Sequence, residues 1–328
     1  MVIHLKHSVE LAKAQELASK IGATHFFDGK KHVIVTSSKV KEVPELLADY
    51  VEDHFVMETD IQLASRDYRS EKRGIKSLGI GPGKTAIIAG PCSVESYEQL
   101  DTVAQFLIKS GVKLLRGGCF KPRTSPYTFQ GLGLEGLELL AQMREKYGLK
   151  IVTEVKDSSH IADVIAHADV VQIGAKAMYD HSILRACGQS NKPVLLKRGF
   201  GTTLQEFVQA AEFILSQGNS EVMLCERGIR TFENKTRFTL DLTGVAFLKH
   251  HTNLPVIVDP SHAIGYRYGV PDLTRAAMAM GVEGLLLETH PKPEQALSDA
   301  AQQLSLEEFE KLHQSLHPVA TAVGQQII

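Results

Sequence analysis

The sequence contains no apolar stretch longer than a few residues, far short of the roughly 20 that a membrane-spanning helix requires, so a membrane role of that kind is excluded. Neither sign of charge is in excess. With 36 basic and 38 acidic side chains and a formal net charge of −2, there is no global field to attract nucleic acid or an anionic membrane, and any basic site must be local. Cysteine is scarce: Cys92, Cys119, Cys187 and Cys225 form no CxxC pair, and the N-terminal segment MVIHLKHSVE lacks the charged-then-apolar order of a signal peptide. A reducing, cytoplasmic setting is expected. Low-complexity segments are also missing. What is present is a chain of 328 residues, 43% apolar. That suffices for one barrel of roughly 250 residues plus a small extra domain, or for two ordinary α/β domains.

The first third begins with VIHL (2–5), a short strand by composition, after which Leu11, Ala14, Ala18 and Ile21 recur at helical spacing until Gly22. THFF, the turn pair Asp28-Gly29 and HVIV then give a strong hairpin signal. Pro44 opens a second predicted helix with Leu47, Tyr50, Val51 and His54 on one face, and a last strand is expected near 57–63. The order βαββαβ predicts a small ferredoxin-like α+β domain over residues 1–68. The polar stretch SRDYRSEKRG (65–74) reads as the linker to a second domain, 69–328.

Beyond it, eight β-rich runs alternate with amphipathic helical segments: TAIIAG, KLLRGG, KIVTEV, VVQIG, PVLLKRG, EVMLCERG, PVIVDPS and EGLLLETH. In one of those segments Leu204, Phe207, Val208, Ala211 and Leu215 form a face after Thr203, with Glu206 completing a capping box and Gly218 marking the end. Eight β-α repeats whose strands are apolar on both faces imply a closed (β/α)8 TIM barrel, with an open doubly wound sheet as the alternative.

Two motifs are decoys. Gly131-x-Gly133-x-x-Gly136 fits a dinucleotide fingerprint, and Glu154 falls where a ribose-binding acid would be sought, but the glycines follow the loop KPRTSPYTFQ instead of a strand. They are expected to shape a loop and a helix start. Gly83-Lys84-Thr85 resembles the end of a P-loop, yet Leu78 occupies the place of its first glycine and a strand follows.

In such a barrel the active site lies at the carboxyl ends of the strands, and here those ends are rich in cations. Arg116, Lys121 and Arg123 follow the second barrel strand, Lys176 the fourth, Lys197 and Arg198 the fifth, and Arg227 and Arg230 the sixth. Any one of them could be a solvated surface charge. Gathered at one rim of a net-acidic protein they would repel unless anions bind between them, which points to phosphate or carboxylate ligands. The same rim carries Cys92, His262, Glu288 and, slightly further on, Asp299. Glu288 directly follows the apolar run GLLL, where a carboxylate needs a cation or a donor. One thiolate, one imidazole and two carboxylates suit a divalent manganese, iron, cobalt or zinc ion better than magnesium.

The segments GPCSVES (90–96), LLRGGCFKPRTSPYTFQGLG (114–133), KPVLLKRGF (192–200), CERGIRTFE (225–233), DPSHA (259–263) and ETHPKPEQALSDA (288–300) closely resemble the 3-deoxy-D-arabino-heptulosonate-7-phosphate (DAHP) synthases of the type I-beta group. The resemblance covers essentially all of 70–328. It implies an aldol-type condensation of phosphoenolpyruvate with erythrose 4-phosphate that releases inorganic phosphate and opens the shikimate pathway. It would make Cys92, His262, Glu288 and Asp299 the metal ligands. It would place Arg116, Lys121, Lys176, Lys197 and Arg227 around phosphoenolpyruvate, with Arg123 and Thr124 at the phosphate of the sugar. Lys121, Glu154 and His262 are the catalytic candidates, Glu154 or a pocket lysine assisting proton movement.

One position departs from the family pattern: where an arginine is common after the fourth strand, this chain reads Gly174-Ala175-Lys176, which keeps the charge but loses the planar fork that grips phosphate. The nearest alternative is the sister synthase that makes 3-deoxy-D-manno-octulosonate 8-phosphate. It carries an Asn-Arg-Ser-Ser version of KPRTS and normally lacks an N-terminal module. A non-catalytic phosphoenolpyruvate sensor is a further alternative. In related synthases such N-terminal modules mediate feedback inhibition by tyrosine or phenylalanine, and the family suggests a homotetramer.

Overall fold

Strand-forming residues near the N-terminus pair over short antiparallel segments, and they build a sheet of their own. The computed structural model describes residues 1–121 and 125–328. Its N-terminal part runs β1 (Val2–Leu5), α1 (Leu11–Lys20), β2 (Thr24–Phe27), β3 (His32–Val35), a 3-10 turn (Glu45–Tyr50) and β4 (Val51–Phe55). The sheet order is β2-β3-β1-β4 with every pairing antiparallel, which is the strand order of a ferredoxin-like module. Two expectations need correction. The second helix shrinks to the 3-10 turn Glu45–Tyr50, and the last strand is Val51–Phe55, not 57–63. Over so few residues helical and strand periods coincide. Val51, His54 and Phe55 satisfy the strand, pairing with Leu5, Ile3 and Val2, while Leu47 is the buried residue of the turn.

The expected eight strands are all present. They are β5 (Lys84–Gly90), β6 (Leu114–Arg116), β7 (Lys150–Val155), β8 (Val170–Ile173), β9 (Val194–Lys197), β10 (Val222–Glu226), β11 (Val256–Val258) and β12 (Gly284–Glu288). Neighbours pair in parallel and in sequence order, and β12 pairs back onto β5, closing the barrel. Between β9 and β10 lies α6 (Leu204–Leu215), started by the Thr203–Glu206 capping box. Between β10 and β11 lies α7 (Leu242–His251), and after β11 the short α8 (Pro260–Ile264).

Alternation along each strand divides the core. Ala86, Ile88, Leu114, Val152, Val170, Leu195, Met223, Ile257 and Leu286 fill the barrel, and intervening residues such as Ile87, Leu115, Ile151, Leu196 and Leu224 face the helices. Ile75 and Ile80, bridged to each other just before β5, pack into the interior cluster and plug its amino-terminal end. A strand not expected from the sequence, β13 (Gln326–Ile327), adds onto the start of β5 beside this plug.

The segment read as a linker is stitched down. The buried Asn253 donates through Nδ2 to the carbonyls of Leu63 (2.9 Å) and Ser65 (2.8 Å). Arg73 donates to Asn253 Oδ1 (2.8 Å) and to the Leu63 carbonyl (3.0 Å). On the neighbouring helix α6, the Glu212 carboxylate accepts from the backbone N–H groups of Gln62, Leu63 and Ala64 at 2.8, 3.1 and 2.8 Å. Within 65–74, Ser65 and Arg73 thus bond to the barrel wall, while Arg66, Asp67, Arg69, Ser70 and Glu71 are exposed.

Burial pushes the Glu212 carboxyl up to about 7 from an ordinary 4.5, against the three N–H groups that favour its charged form. A carboxyl raised in the folded state binds its proton more tightly than in the unfolded chain. Its stabilisation is thus full below pH 4.5 and lost as the pH rises towards 7, by at most about 3 kcal/mol. The thermal midpoint of the native chain minus that of Glu212→Gln is expected to fall between pH 4.5 and 7. A difference that stays flat or rises across this interval would contradict the assignment.

Candidate active site

Extending the same alternation two residues past the last apolar interior side chain places a polar or ionic group in the top layer of the barrel for seven of the eight strands, β5 ending instead in Gly90. Leu114 is followed by Arg116, Val152 by Glu154, Val170 by Gln172, Leu195 by Lys197, Cys225 by Arg227, Ile257 by Asp259 and Leu286 by Glu288. The layer carries charges of both signs, and four of them pair. Lys197 Nζ lies 2.6 Å from Asp259 Oδ2, and Arg116 Nη1 lies 2.7 Å from Glu288 Oε1. Arg198 stands one residue out of phase, so it faces away from the barrel interior, bonded to Glu226 (2.9 Å) and Asp241 (2.8 Å). It does not belong to the anion-binding rim, contrary to the sequence reading.

Cys92, His262, Glu288 and Asp299 converge beside this layer, with one ligand-type atom from each lying within 4.8 Å of the others. Cys92 follows β5, its thiol 3.4 Å from Asp299 Oδ2, and Lys121 Nζ reaches both its sulfur and its carbonyl at 3.1 Å. His262 sits in the first turn of α8. Asp259 caps that turn and also meets His262 Nδ1 at 2.8 Å, leaving Nε2 directed at Glu288 Oε1, 3.4 Å away. A carboxylate behind the imidazole is the usual support for a metal-ligating histidine. Asp299 adopts φ 46°, a left-handed backbone rarely held by a non-glycine residue.

The electrostatics favour ligand-ready forms for three of the four. Burial, opposed by Asp259 and Glu288, lowers the His262 pKa, which disfavours the charged ring. Burial alone would raise both carboxyls, but His262 with Arg116 holds Glu288 below the ordinary range, and His262 with Arg237 holds Asp299 further below it. Cys92 is the exception: burial, reinforced by Glu288, pushes its thiol up to about 11, against the pull of Lys121. A cation bound between the four would reverse that balance. One sulfur, one nitrogen and two oxygens on such a scaffold fit a divalent transition metal.

Next to the cluster opens a cleft of about 440 Å³ that shares His262 and Asp299 with it. Lys121, Lys176, Lys197, Arg227 and Arg230 line the cleft, as expected, and Arg237 joins them from the loop after β10. Arg116 lies below it, 3% exposed, committed to Glu288 and the Pro91 carbonyl. The Arg227 guanidinium stacks 4.5 Å from the Phe238 ring, and its Nε and Nη1 are buried without a hydrogen-bond partner among the described residues. Buried, unmatched donors of this kind call for an anion. Arg230 stacks likewise on Phe200, 4.8 Å away. Arg123 and Thr124 lie outside the described residues.

Glu154 faces the cleft with its carboxylate held by Gln172 Nε2 at 2.5 Å. Gly174 makes this possible, since a Cβ there would stand 2.3 Å from Glu154 Oε1. The rejected dinucleotide motif has a local explanation. Gly131 adopts φ 91° where a Cβ would meet the Cys119 carbonyl at 2.0 Å, and Gly133 caps the helix Leu134–Tyr147. Sequence reasoning missed Gln172, Arg237, Asp259 and Gln302. The first and third were within reach, because strand alternation alone puts them in the top layer.

Residues 62–324 match the DAHP synthetase I family. Phospho-2-dehydro-3-deoxyheptonate aldolase of Thermotoga maritima is 48% identical over 268 residues, covering 81% of this chain and 79% of that protein. A crystal structure of phospho-2-dehydro-3-deoxyheptonate aldolase (DAHP synthase) from T. maritima superimposes with a TM-score of 0.81 at 41% identity, over 100% of this chain and 99% of that one. A truncated form of 3-deoxy-D-arabino-heptulosonate 7-phosphate synthase from the same organism gives 0.76 at 45% identity, over 81% of this chain and 98% of that one. A 2-dehydro-3-deoxyphosphooctonate aldolase of Stenotrophomonas maltophilia is more distant, 33% identical over 248 residues, 70% of this chain and 89% of that protein. With its closed barrel, its four-ligand cluster and its cationic cleft, the chain belongs to the DAHP synthetase I family.

Proposed function

We propose that the chain catalyses the condensation of phosphoenolpyruvate with erythrose 4-phosphate and water, giving DAHP and inorganic phosphate. The observation that carries this reading is the sharing of His262 and Asp299 between a four-ligand cluster and a cationic cleft, in a chain 48% identical to the T. maritima aldolase. A divalent manganese, iron, cobalt or zinc ion held by Cys92, His262, Glu288 and Asp299 would supply Lewis-acid polarisation of the aldehyde oxygen. Arg227, with its unmatched donors, Lys197, Lys176 and Lys121 are suited to hold the carboxylate and phosphate of phosphoenolpyruvate. Fixed in place, these cations orient the enol carbon towards the aldehyde and hold the three-carbon unit while water adds. Glu154, oriented by Gln172, is placed to accept or return a proton. Arg116 contributes indirectly, by keeping Glu288 ionised.

Erythrose 4-phosphate is favoured over arabinose 5-phosphate as the aldose because the loop after β6 reads Lys-Pro-Arg-Thr-Ser, and because the octulosonate synthases are the more distant relatives. A phosphate-release assay with each aldose separates the two readings. Residues 1–68 are proposed as a regulatory domain for an aromatic amino acid, on a catalytic barrel, 69–328, that works in the cytoplasm as a homotetramer. The segment 62–65 that follows the N-terminal sheet is bonded to Glu212 of α6 and to Asn253 just before β11, which supports a connection from this domain to the strand ends that carry Lys197 and Asp259.

Chelation is expected to abolish turnover and a divalent transition metal to restore it, while Cys92→Ser weakens metal binding and activity together. Full turnover in excess chelator, with metal removal verified by elemental analysis, would refute the metal assignment. For aldose recognition, Arg123→Ala should raise the KM for erythrose 4-phosphate far more than that for phosphoenolpyruvate. Equal effects on both constants would remove Arg123 from the sugar site. For regulation, a chain starting near Glu71 should keep metal-dependent synthesis and lose inhibition by whichever of tyrosine or phenylalanine inhibits the full chain. Unchanged inhibition of the truncated barrel would put the effector site elsewhere, and lack of inhibition of the full chain by either would remove the regulatory reading.

A further inference from the structure

The loop after β12 carries two adjacent glutamines that both reach metal-ligand residues. Gln303 Oε1 accepts from the backbone N–H of Cys92 at 2.9 Å. Gln302, 2% exposed, donates through Nε2 to Glu288 Oε2 at 2.6 Å, while its Oε1 accepts from Arg237 Nη1 at 2.8 Å. Arg237 also lies 3.5 Å from Asp299 Oδ2 and forms part of the cleft wall.

This chain of bonds has one allowed direction. A carboxylate can only accept and a guanidinium can only donate, so the amide between them must turn its oxygen to Arg237 and its NH2 to Glu288. Turning the amide over would set an oxygen against the Glu288 carboxylate and an NH2 against the guanidinium. Arg237 therefore fixes the orientation of Gln302, and Gln302 fixes the Glu288 oxygen that Arg116 does not hold. Supports of this kind, one bond behind a ligand, typically change metal affinity 10–100-fold when removed.

We infer that Gln302 and Arg237 form a positioning relay between the anion-binding cleft and the metal cluster. Gln302 sets the geometry of Glu288. Arg237 sets Gln302 and faces the cleft, so an anion drawn to its guanidinium changes the affinity of the cluster for metal, and metal changes the affinity for the anion by the same factor. The inference rests on the reading of the four residues as metal ligands and of the cleft as a phosphoenolpyruvate site.

The test is the affinity of the metal-free full-length protein for Co2+, measured by competition with a chromophoric chelator, without and then with saturating phosphoenolpyruvate. Gln302→Met keeps the side-chain length and loses both hydrogen bonds, and it should weaken Co2+ binding about 10–100-fold. Arg237→Gln, at a side chain 39% exposed, should weaken it several-fold and abolish the shift caused by phosphoenolpyruvate. Arg237 also contacts Asp299 directly, so the relay is read from the part of the Arg237→Gln effect on Co2+ binding that disappears in the Gln302→Met background. Arg237→Lys should restore part of the shift. Co2+ binding by Gln302→Met as tight as in the native protein, or additive effects in the double variant, would overturn the relay while leaving the metal cluster standing. A native protein that does not bind Co2+ would overturn the cluster and the relay together.

Discussion

A carboxylate taken out of water at the end of a barrel strand costs several kcal/mol unless donors or cations meet it, and Glu288, 1% exposed, is in that position. Arg116 and Gln302 donate to its two oxygens, Ser261 Oγ accepts from its backbone N–H, and His262 approaches from the side. The fully buried Asp259 imposes the same demand one strand away and is met by Lys197 and the same histidine. The ionic layer of the barrel is thus a set of mutual obligations. Removing Arg116, Glu288, Lys197 or Asp259 would leave a buried charge unmatched.

This pairing changes the argument from cation crowding. Arg116 is consumed by Glu288 and Lys197 is shared with Asp259, so the rim is less repulsive than a list of its cations suggests. The demand for an external anion falls on Arg227, buried against Phe238 with two unmatched donors, and on the cations beside it in the cleft. The candidate metal cluster and the cationic cleft adjoin each other, with His262 and Asp299 common to both.

Much of this was legible because a barrel strand obeys a period of two. The runs ending in KLLRGG, PVLLKRG, PVIVDPS and EGLLLETH announce a packed interior topped by Arg116, Lys197, Asp259 and Glu288, whatever the details of packing. The same rule, applied strictly, would have turned Arg198 outward and admitted Gln172. Where periods were short the reading failed: residues 45–55 satisfy a helical spacing and a strand spacing alike, and pairing with β1 decided for the strand. Polarity did not reveal that, within 65–74, Lys72 and Arg73 reach the barrel.

The chain by itself determined the fold class, the strand ends and the residue types gathered there, because alternation and helical periodicity are local properties that survive in one dimension. Only the tertiary structure decided partners. Cys92 and Asp299 are 207 residues apart in the chain and 3.4 Å apart in space, and Arg237 meets Gln302 across 65 residues, from loops after different strands. No spacing rule connects such pairs, since the distance between strand-end loops is set by closure of the barrel and by the length and packing of the helices between them. Closure brings β12 beside β5, and so sets Glu288 beside Cys92.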